Sequence, residues 1–182
     1  MMNVENGRPA MTEGRQEREI RTYDLLDRLG VSYRRADHAP AMTMEDCVEI
    51  DRAMGVAMCK NLFLCNRQQT DFYLLLMPSD KPFRTKELSA QIGTARLSFA
   101  SAEHMLDKLD ILPGSVSVMG LMNDKEHAVQ LLIDQDLLSQ AEFGCHPCVN
   151  TSSVCFTTKD LTRVILPALG YSYRTVVLVG EE

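Results

Sequence analysis

Apolar residues recur along the chain at two spacings, and these predict helices and strands in alternation. Between Glu17 and Gly30 they recur at about every third position, as on one face of a helix that the glycine ends. Thr43 is a suitable N-cap for a second helix that runs to about Met54 and stops at Gly55. Further helices are predicted near residues 85–92 before Gly93, from Ser101 through Leu109, and after Thr157 or Thr158.

Short apolar runs between these helices predict strands. CKNLFLCN and DFYLLLM, separated by the turn RQQT, predict a central hairpin whose dense apolar residues favour burial on both faces. Other strands are predicted in VSYRRADHA, RLSFA, SVSVMGLM, AVQLLID, TSSVCFT and YRTVVLV, with GCHPCVN as a loop. The alternation predicts an α+β (mixed α/β) fold, a single domain with a mixed β-sheet covered by helices.

The first 16 residues have a different pattern. They are polar, contain Gly and Pro, and show no periodicity, so we expect residues 1–16 to be a disordered tail and residues 17–182 to be the folded domain.

Composition agrees with an ordinary folded domain. Of 182 residues, 45% are hydrophobic and 24% charged, as in soluble proteins. No apolar run approaches the roughly 20 residues that span a bilayer, and the N-terminus lacks the apolar core of a signal peptide. We therefore expect a cytoplasmic protein with no membrane partner.

The net charge of −6 argues against a broad nucleic-acid surface, and so against DNA as a partner. It leaves room for recognition of one short RNA end by a few local cations. Lys81, Arg84 and Lys86, in KPFRTK, are the densest candidates. The alternative is a solvated surface turn at a helix start.

The segment GCHPCVNT contains two cysteines three positions apart with a histidine between them. A structural zinc site needs four ligands, and no second CxxC or His pair is present, so we expect no metal and no cofactor. A redox pair would sit at a helix start, whereas Pro147 lies inside this pair and a strand follows. A third interpretation is a ligand clamp, in which Gly144 permits a close backbone approach and His146 is held at a fixed angle.

A second candidate position is Lys60 in CKNLFL, which interrupts an apolar strand. A lysine that points inward there requires a partner for its charge. Alternatively, Lys60 points to solvent at the strand edge and Asn61 makes a turn.

Four segments together resemble a known family. CKNLFL, KPFRTKELSAQIGTARLSFAS, LPGSVSVMGLMND and GCHPCVNTSSV follow in an order that is similar to the YbaK-like, prolyl-tRNA-synthetase-associated editing domains. Within that family the likeness is greatest to the free-standing deacylases that act on alanyl-tRNA(Pro), and it covers about residues 17 to 178. The resemblance implies an enzyme that hydrolyses a mischarged aminoacyl-tRNA, with prolyl-tRNA synthetase as a further candidate partner.

The resemblance also implies roles for particular residues. The family's Lys-Asn pair matches Lys60 and Asn61, which would bind the phosphate of the terminal adenosine and the ester or ribose region. The family's Gly-x-His-Pro loop matches Gly144, His146 and Pro147, with His146 holding the amino acid and backbone N–H groups near Gly144 facing the oxyanion. A ribose hydroxyl of the tRNA would assist the attacking water. Cys145 and Cys148 match no family-defining position.

The substrate pocket is less well defined by the sequence. Gly120 is a candidate for a close approach to the ligand, with a β-bulge as the alternative. Met119, Met122 and Val149 are candidate pocket walls, and core packing explains each equally well. Two other functions stay open: removal of another amino acid, such as cysteine, from tRNA(Pro), and a non-catalytic domain that senses an amino acid or aminoacyl-tRNA.

Overall fold

Two β-sheets form the centre of the structure, a computed structural model that describes residues 1–180. The first sheet is antiparallel with strand order β1-β2-β8-β7, and the second is mixed with order β5-β3-β4-β6-β9. The strands are β1 (Val4–Asn6), β2 (Arg34–Asp37), β3 (Lys60–Cys65), β4 (Phe72–Met77), β5 (Ser98–Phe99), β6 (Val129–Asp134), β7 (Glu142–Cys145), β8 (Ser152–Thr157) and β9 (Tyr173–Val176).

Helices connect and cover the sheets. They are α1 (Glu17–Arg28), α2 (Met44–Met54), α3 (Thr85–Ile92), α4 (Ala102–Leu109), a 3-10 helix (Val118–Asn123), α5 (Gln135–Leu138), α6 (Thr158–Asp160), a π-helical turn (Leu161–Ile165) and α7 (Leu166–Ala168). Their ends follow the predicted caps. Thr43 accepts a hydrogen bond from the Asp46 N–H and Asp46 returns one, which forms a capping box, and Gly55 ends α2 in the left-handed conformation.

The hydrophobic core has three parts, which explains why the apolar runs are so dense. The largest lies between the two sheets and under α1, and it includes Phe63, Leu74, Phe143 and Val154. A second covers the outer face of the five-stranded sheet under α3, and a third lies between α2 and the four-stranded sheet. Strand β4 is consequently buried at every position, as its sequence predicts.

The predicted fold class is confirmed, and the structure corrects four details. There are two sheets where one was expected. Residues 1–16 are not a disordered tail throughout, because Val4–Asn6 pairs with β2. SVSVMGLM is not a strand, since Val118–Asn123 is a 3-10 helix whose first turn Ser117 caps. The segment GCHPCVN begins as strand β7 and becomes a turn only after Cys145. Among residues 1–180, no helix is both long and apolar enough to cross a membrane.

Candidate active site

The two sheets meet where β3 begins, and this junction brings the Lys60–Asn61 segment alongside the segment of Gly144 and His146. Met58 forms a parallel bridge with Gly144, and the Cys59 N–H donates to the Gly144 carbonyl at 3.1 Å. Lys60 and His146 each follow that bridge by two residues. The structure therefore brings together two segments that lie more than 80 positions apart in the sequence.

Gly144 makes the junction possible, though not by approaching a ligand as expected. A Cβ atom at this position would lie 2.8 Å from Met58 Sδ and 3.1 Å from Val56 Cγ1. The space that a side chain would fill is therefore taken by the protein's own segment before β3. The Gly144 carbonyl is likewise engaged by Cys59, so the glycine serves the contact between sheets.

Lys60 is half-buried, and its charge is not neutralised by a carboxylate. Its Nζ donates to the Lys81 carbonyl at 2.8 Å, and it forms no ion pair with any described residue. The carbonyl holds the ammonium in place while leaving two of its three N–H groups for another acceptor. This geometry is suited to binding an anion. A solvated lysine at the strand edge, the alternative interpretation, would not need a carbonyl to hold its ammonium in place.

Asn61 presents an unused acceptor. Its Nδ2 donates to the Cys59 carbonyl at 3.2 Å and contacts the Cys59 Sγ at 3.1 Å, which fixes the orientation of the amide. Its Oδ1 is buried and has no hydrogen-bond partner within the described part of the chain. A buried acceptor without a donor is uncommon and costs free energy, so it is a good candidate contact for a ligand hydroxyl or N–H.

His146 is held as a neutral ring with one free nitrogen. Its Nδ1 lies 2.9 Å from the Ser152 carbonyl, which can only accept, so Nδ1 carries the proton and Nε2 keeps a lone pair. Burial lowers the pKa of His146 below its ordinary 6.5, the hydrogen bond to Ser152 opposes this shift, and nearby His38 adds to it. At neutral pH the ring is therefore an acceptor.

The cysteines of this segment belong to the core. Cys145 and Cys148 are both buried, and burial raises the pKa of each thiol, for Cys148 to about 12. A reactive or metal-binding cysteine needs its thiolate, which this environment disfavours. Within residues 1–180 no group of three or more His, Cys, Asp or Glu side chains is arranged to hold a metal ion. Pro147 and Val149 are buried beside them.

The expected pocket residues of the 3-10 helix also face the core. A Cβ at Gly120 would lie 2.5 Å from Ile111 Cδ1 and 3.1 Å from Leu109 Cβ, so this glycine permits close packing on the end of α4. Met119 is fully buried and Met122 packs partly buried against the same core. For these three residues the geometry supports packing, the alternative that the sequence left open.

The basic segment divides into two parts. Lys81 is not available to RNA, because its Nζ pairs with Asp134 at 2.7 Å and Asp136 at 2.8 Å. Arg84 and Lys86 instead line a cleft of about 720 Å³, together with Arg96, at the start of α3. Arg96 could not be predicted from the sequence pattern, because ten positions separate it from Lys86 and only the fold of α3 brings the two side chains to one cleft.

Comparison with known proteins identifies the family. A family model described as an aminoacyl-tRNA editing domain matches residues 38–164. The prolyl-tRNA editing protein ProX of Acetoanaerobium sticklandii is 30% identical over 153 residues, which cover 84% of this chain and 93% of that protein. Prolyl-tRNA synthetase associated domain-containing protein 1 of Danio rerio is 28% identical over 144 residues, 78% of each chain.

Solved structures share the fold at lower identity. One, described as a candidate trans-editing enzyme for prolyl tRNA synthetase, superposes with a TM-score of 0.66 at 16% identity and covers 90% of this chain and 98% of that chain. The hypothetical protein APE2540 superposes with a TM-score of 0.64 at 17% identity, over 87% of this chain and 98% of that chain. The resemblance seen in the sequence is thus confirmed, and with it the enzyme class, an aminoacyl-tRNA deacylase. The chain belongs to the aminoacyl-tRNA editing domain family.

Proposed function

We propose that this protein hydrolyses the ester of tRNA(Pro) mischarged with alanine, acting in trans after prolyl-tRNA synthetase has released it, in the cytoplasm. The observation that carries the proposal is the Lys60 ammonium, which is anchored on a backbone carbonyl and faces no carboxylate among the described residues. A phosphate of the terminal adenosine supplies the missing anion. Lysine binds phosphate as a compact point charge, so it tolerates the approach of a flexible RNA end.

The neighbouring groups match the rest of the substrate. The orphan Asn61 Oδ1 accepts from a ribose hydroxyl of the terminal nucleotide, and the His146 Nε2 lone pair accepts from the α-ammonium of the amino acid. Both acceptors are fixed before the substrate arrives, by Cys59 and Ser152 respectively. The site therefore orients the ester, and this positioning is its main contribution to the rate.

The reaction itself needs few protein groups. A water attacks the ester carbonyl carbon, the bond from that carbon to the ribose oxygen breaks, and the ribose oxygen takes up the proton that the water loses. The adjacent ribose hydroxyl of the tRNA, held by Asn61, directs the water and relays this proton. The products are free alanine and uncharged tRNA.

Selectivity for alanine follows from size. A proline site admits alanine because missing methylenes change binding by only about 1–3 kcal/mol, so a second site that accepts the smaller side chain is needed to remove the error. A site that fits only a methyl group would reject the larger proline ring.

The substrate is tested by single-turnover hydrolysis of tRNA(Pro) charged separately with alanine, cysteine, serine and proline. We expect rapid release of alanine and no release of proline beyond the rate without protein. Faster release of cysteine would assign the other editing substrate. Binding of alanyl-tRNA(Pro) without hydrolysis would contradict the proposal and support a sensing domain.

We also propose that the cleft lined by Arg84, Lys86 and Arg96 contacts the acceptor stem. None of these three cations forms an ion pair with a residue of the described chain, unlike Lys81. Phe83 lines the cleft and packs edge-on against Phe99 at 6.0 Å, and the Phe99 ring is 62% exposed. Free cations beside an exposed aromatic ring are the combination that binds an RNA end without broad positive charge.

Neutralising the cleft should weaken the salt dependence of tRNA binding. In a triple variant with glutamine at positions 84, 86 and 96, we expect the slope of log K against log salt to fall by about 2, because each released counterion contributes roughly 0.7–0.9. Lys125→Gln, at an exposed lysine without an ion pair in residues 1–180, is the matched control. An equal slope in the triple variant and the control would assign the cleft to ordinary surface.

A further inference from the structure

A second histidine lies beside the proposed site. The ring centroids of His38 and His146 are 6.2 Å apart with a 51° angle between the planes. His38 follows directly after β2, where its N–H donates to the Thr151 carbonyl at 3.0 Å and extends the ladder to β8. The fold, and not proximity in the chain, brings the two rings together.

Both rings are tied to consecutive residues of β8. His146 binds the Ser152 carbonyl through Nδ1, and His38 Nε2 lies 2.8 Å from the Ser153 hydroxyl. His38 Nδ1 lies 2.9 Å from the Ala39 carbonyl, which requires a proton on Nδ1. Neutral His38 consequently accepts from Ser153 through Nε2. Ser153 is fully buried, so its hydroxyl has no water to replace this partner.

His38 also borders a surface cavity. The cavity has a volume of about 620 Å³, and its charged side chains are those of Asp37, Glu49 and Arg52. Asp37 is paired with Arg15 and Arg35, whereas Glu49 and Arg52 form no ion pair with a described residue. The α-amino group of Met1 belongs to a residue of the same cavity wall. His38 is the charged neighbour that lowers the pKa of His146, after burial. The cavity gives solvent access to the His38 side of the pair.

We propose that His38 is a positioning residue for His146, which holds the start of β8 through Ser153 and keeps the His146 ring neutral with Nε2 free. This inference rests on the proposed function in one respect, which is that the α-ammonium of the amino acid is the group bound by His146 Nε2. A positive charge on the His38 ring would disfavour a proton on His146, because the ring centroids are only 6.2 Å apart. His38 acts on the substrate only through His146 and β8.

Two variants separate the hydrogen bond from the charge. His38→Gln keeps an acceptor for Ser153 and a donor for Ala39 but cannot be protonated, whereas His38→Ala removes both. His104→Gln is the matched control, because His104 is a half-buried histidine like His38 that contacts Gln69 and Phe72 instead of His146. With four histidines in the chain, each ring resonance can be assigned by substitution.

The experiment is an NMR titration of the histidine rings in the full chain, together with single-turnover kinetics. In His38→Gln we expect the pKa of His146 to rise by about 0.5 to 1, the size of the interaction between charges at this separation in a partly solvated site. His104→Gln should leave it unchanged. In His38→Ala we expect the maximal single-turnover rate to fall about 10-fold, with the protein concentration that gives half of this rate near the wild-type value, and His38→Gln to restore most of this loss.

Each outcome decides between the claims. An unchanged His146 titration in His38→Gln overturns the inference, even where the wild-type protein deacylates tRNA. A His146 pKa that rises in His38→Gln, in a protein that hydrolyses none of the charged tRNAs, upholds the histidine pair and rejects the proposed function. If His38→Ala fails to fold, the Gln variant and the titration still give the result.

Discussion

Replacing Lys60 with alanine is expected to slow hydrolysis of alanyl-tRNA(Pro) by about 10- to 150-fold in a single turnover. The substitution removes hydrogen bonds to a charged phosphate, which are worth roughly 1.5–3 kcal/mol, and 1.4 kcal/mol corresponds to a tenfold change in rate. Loss of alignment of the ester would enlarge the effect. Lys60→Arg should recover only part of the rate, because the planar guanidinium cannot occupy the position that the Lys81 carbonyl gives the ammonium.

The stability of the Lys60 variants is the control. Lys60 is half-buried and donates a single hydrogen bond to a backbone carbonyl, so its removal should change the melting temperature by only a few degrees. Lys125→Ala, at an exposed lysine, should match the wild type in both rate and melting temperature. If Lys60→Ala melts and deacylates like the wild type, Lys60 is a surface residue and the site assignment is wrong.

Replacing His146 with alanine is expected to reduce the rate by a similar factor, about 10- to 150-fold, because its Nε2 accepts from a charged ammonium. The pH dependence should distinguish this role. The pKa of His146 is lowered, so the neutral ring persists down to a pH below 6.5, and the rate should fall only below that point as Nε2 becomes protonated. His146→Gln, whose amide oxygen can accept, should restore part of the rate without this acid limb.

The measurement is a pH–rate profile from pH 5 to 8, corrected for spontaneous ester hydrolysis at each pH. His127→Ala, which alters a histidine stacked on Tyr171 away from the site, controls for loss of an imidazole. An acid limb that is the same in His146→Ala and in the wild type would show that another group titrates there. The ring would then be a packing residue of the turn after β7.

The candidate site was predictable where the signal is local. A lysine at the start of an apolar strand and a histidine next to a proline, two residues after a glycine, are visible in the sequence, and the resemblance to a family joins them. Which of their neighbours contact a ligand was not predictable. A glycine in the sequence looks the same whether it makes room for a substrate or for another part of the protein. Gly120 makes room for Ile111 and Gly144 for Met58, and only the structure shows this.

The sequence by itself determined helices α1 to α4, the start of α6 and the central hairpin, because these depend on dihedral preferences, capping side chains and periodicity within a few residues. It did not indicate α5 or the 3-10 helix. Only the tertiary structure decided that the strands form two sheets, that Lys81 pairs with Asp134, and that His38 stands beside His146. These contacts join residues 50 to 110 positions apart, and they form because burying both faces of β4 forces the second sheet over the first. The sequence around Lys81 or His38 contains no pattern that indicates Asp134 or His146 as its partner. These parts of the site are therefore defined only by the packing of the two sheets.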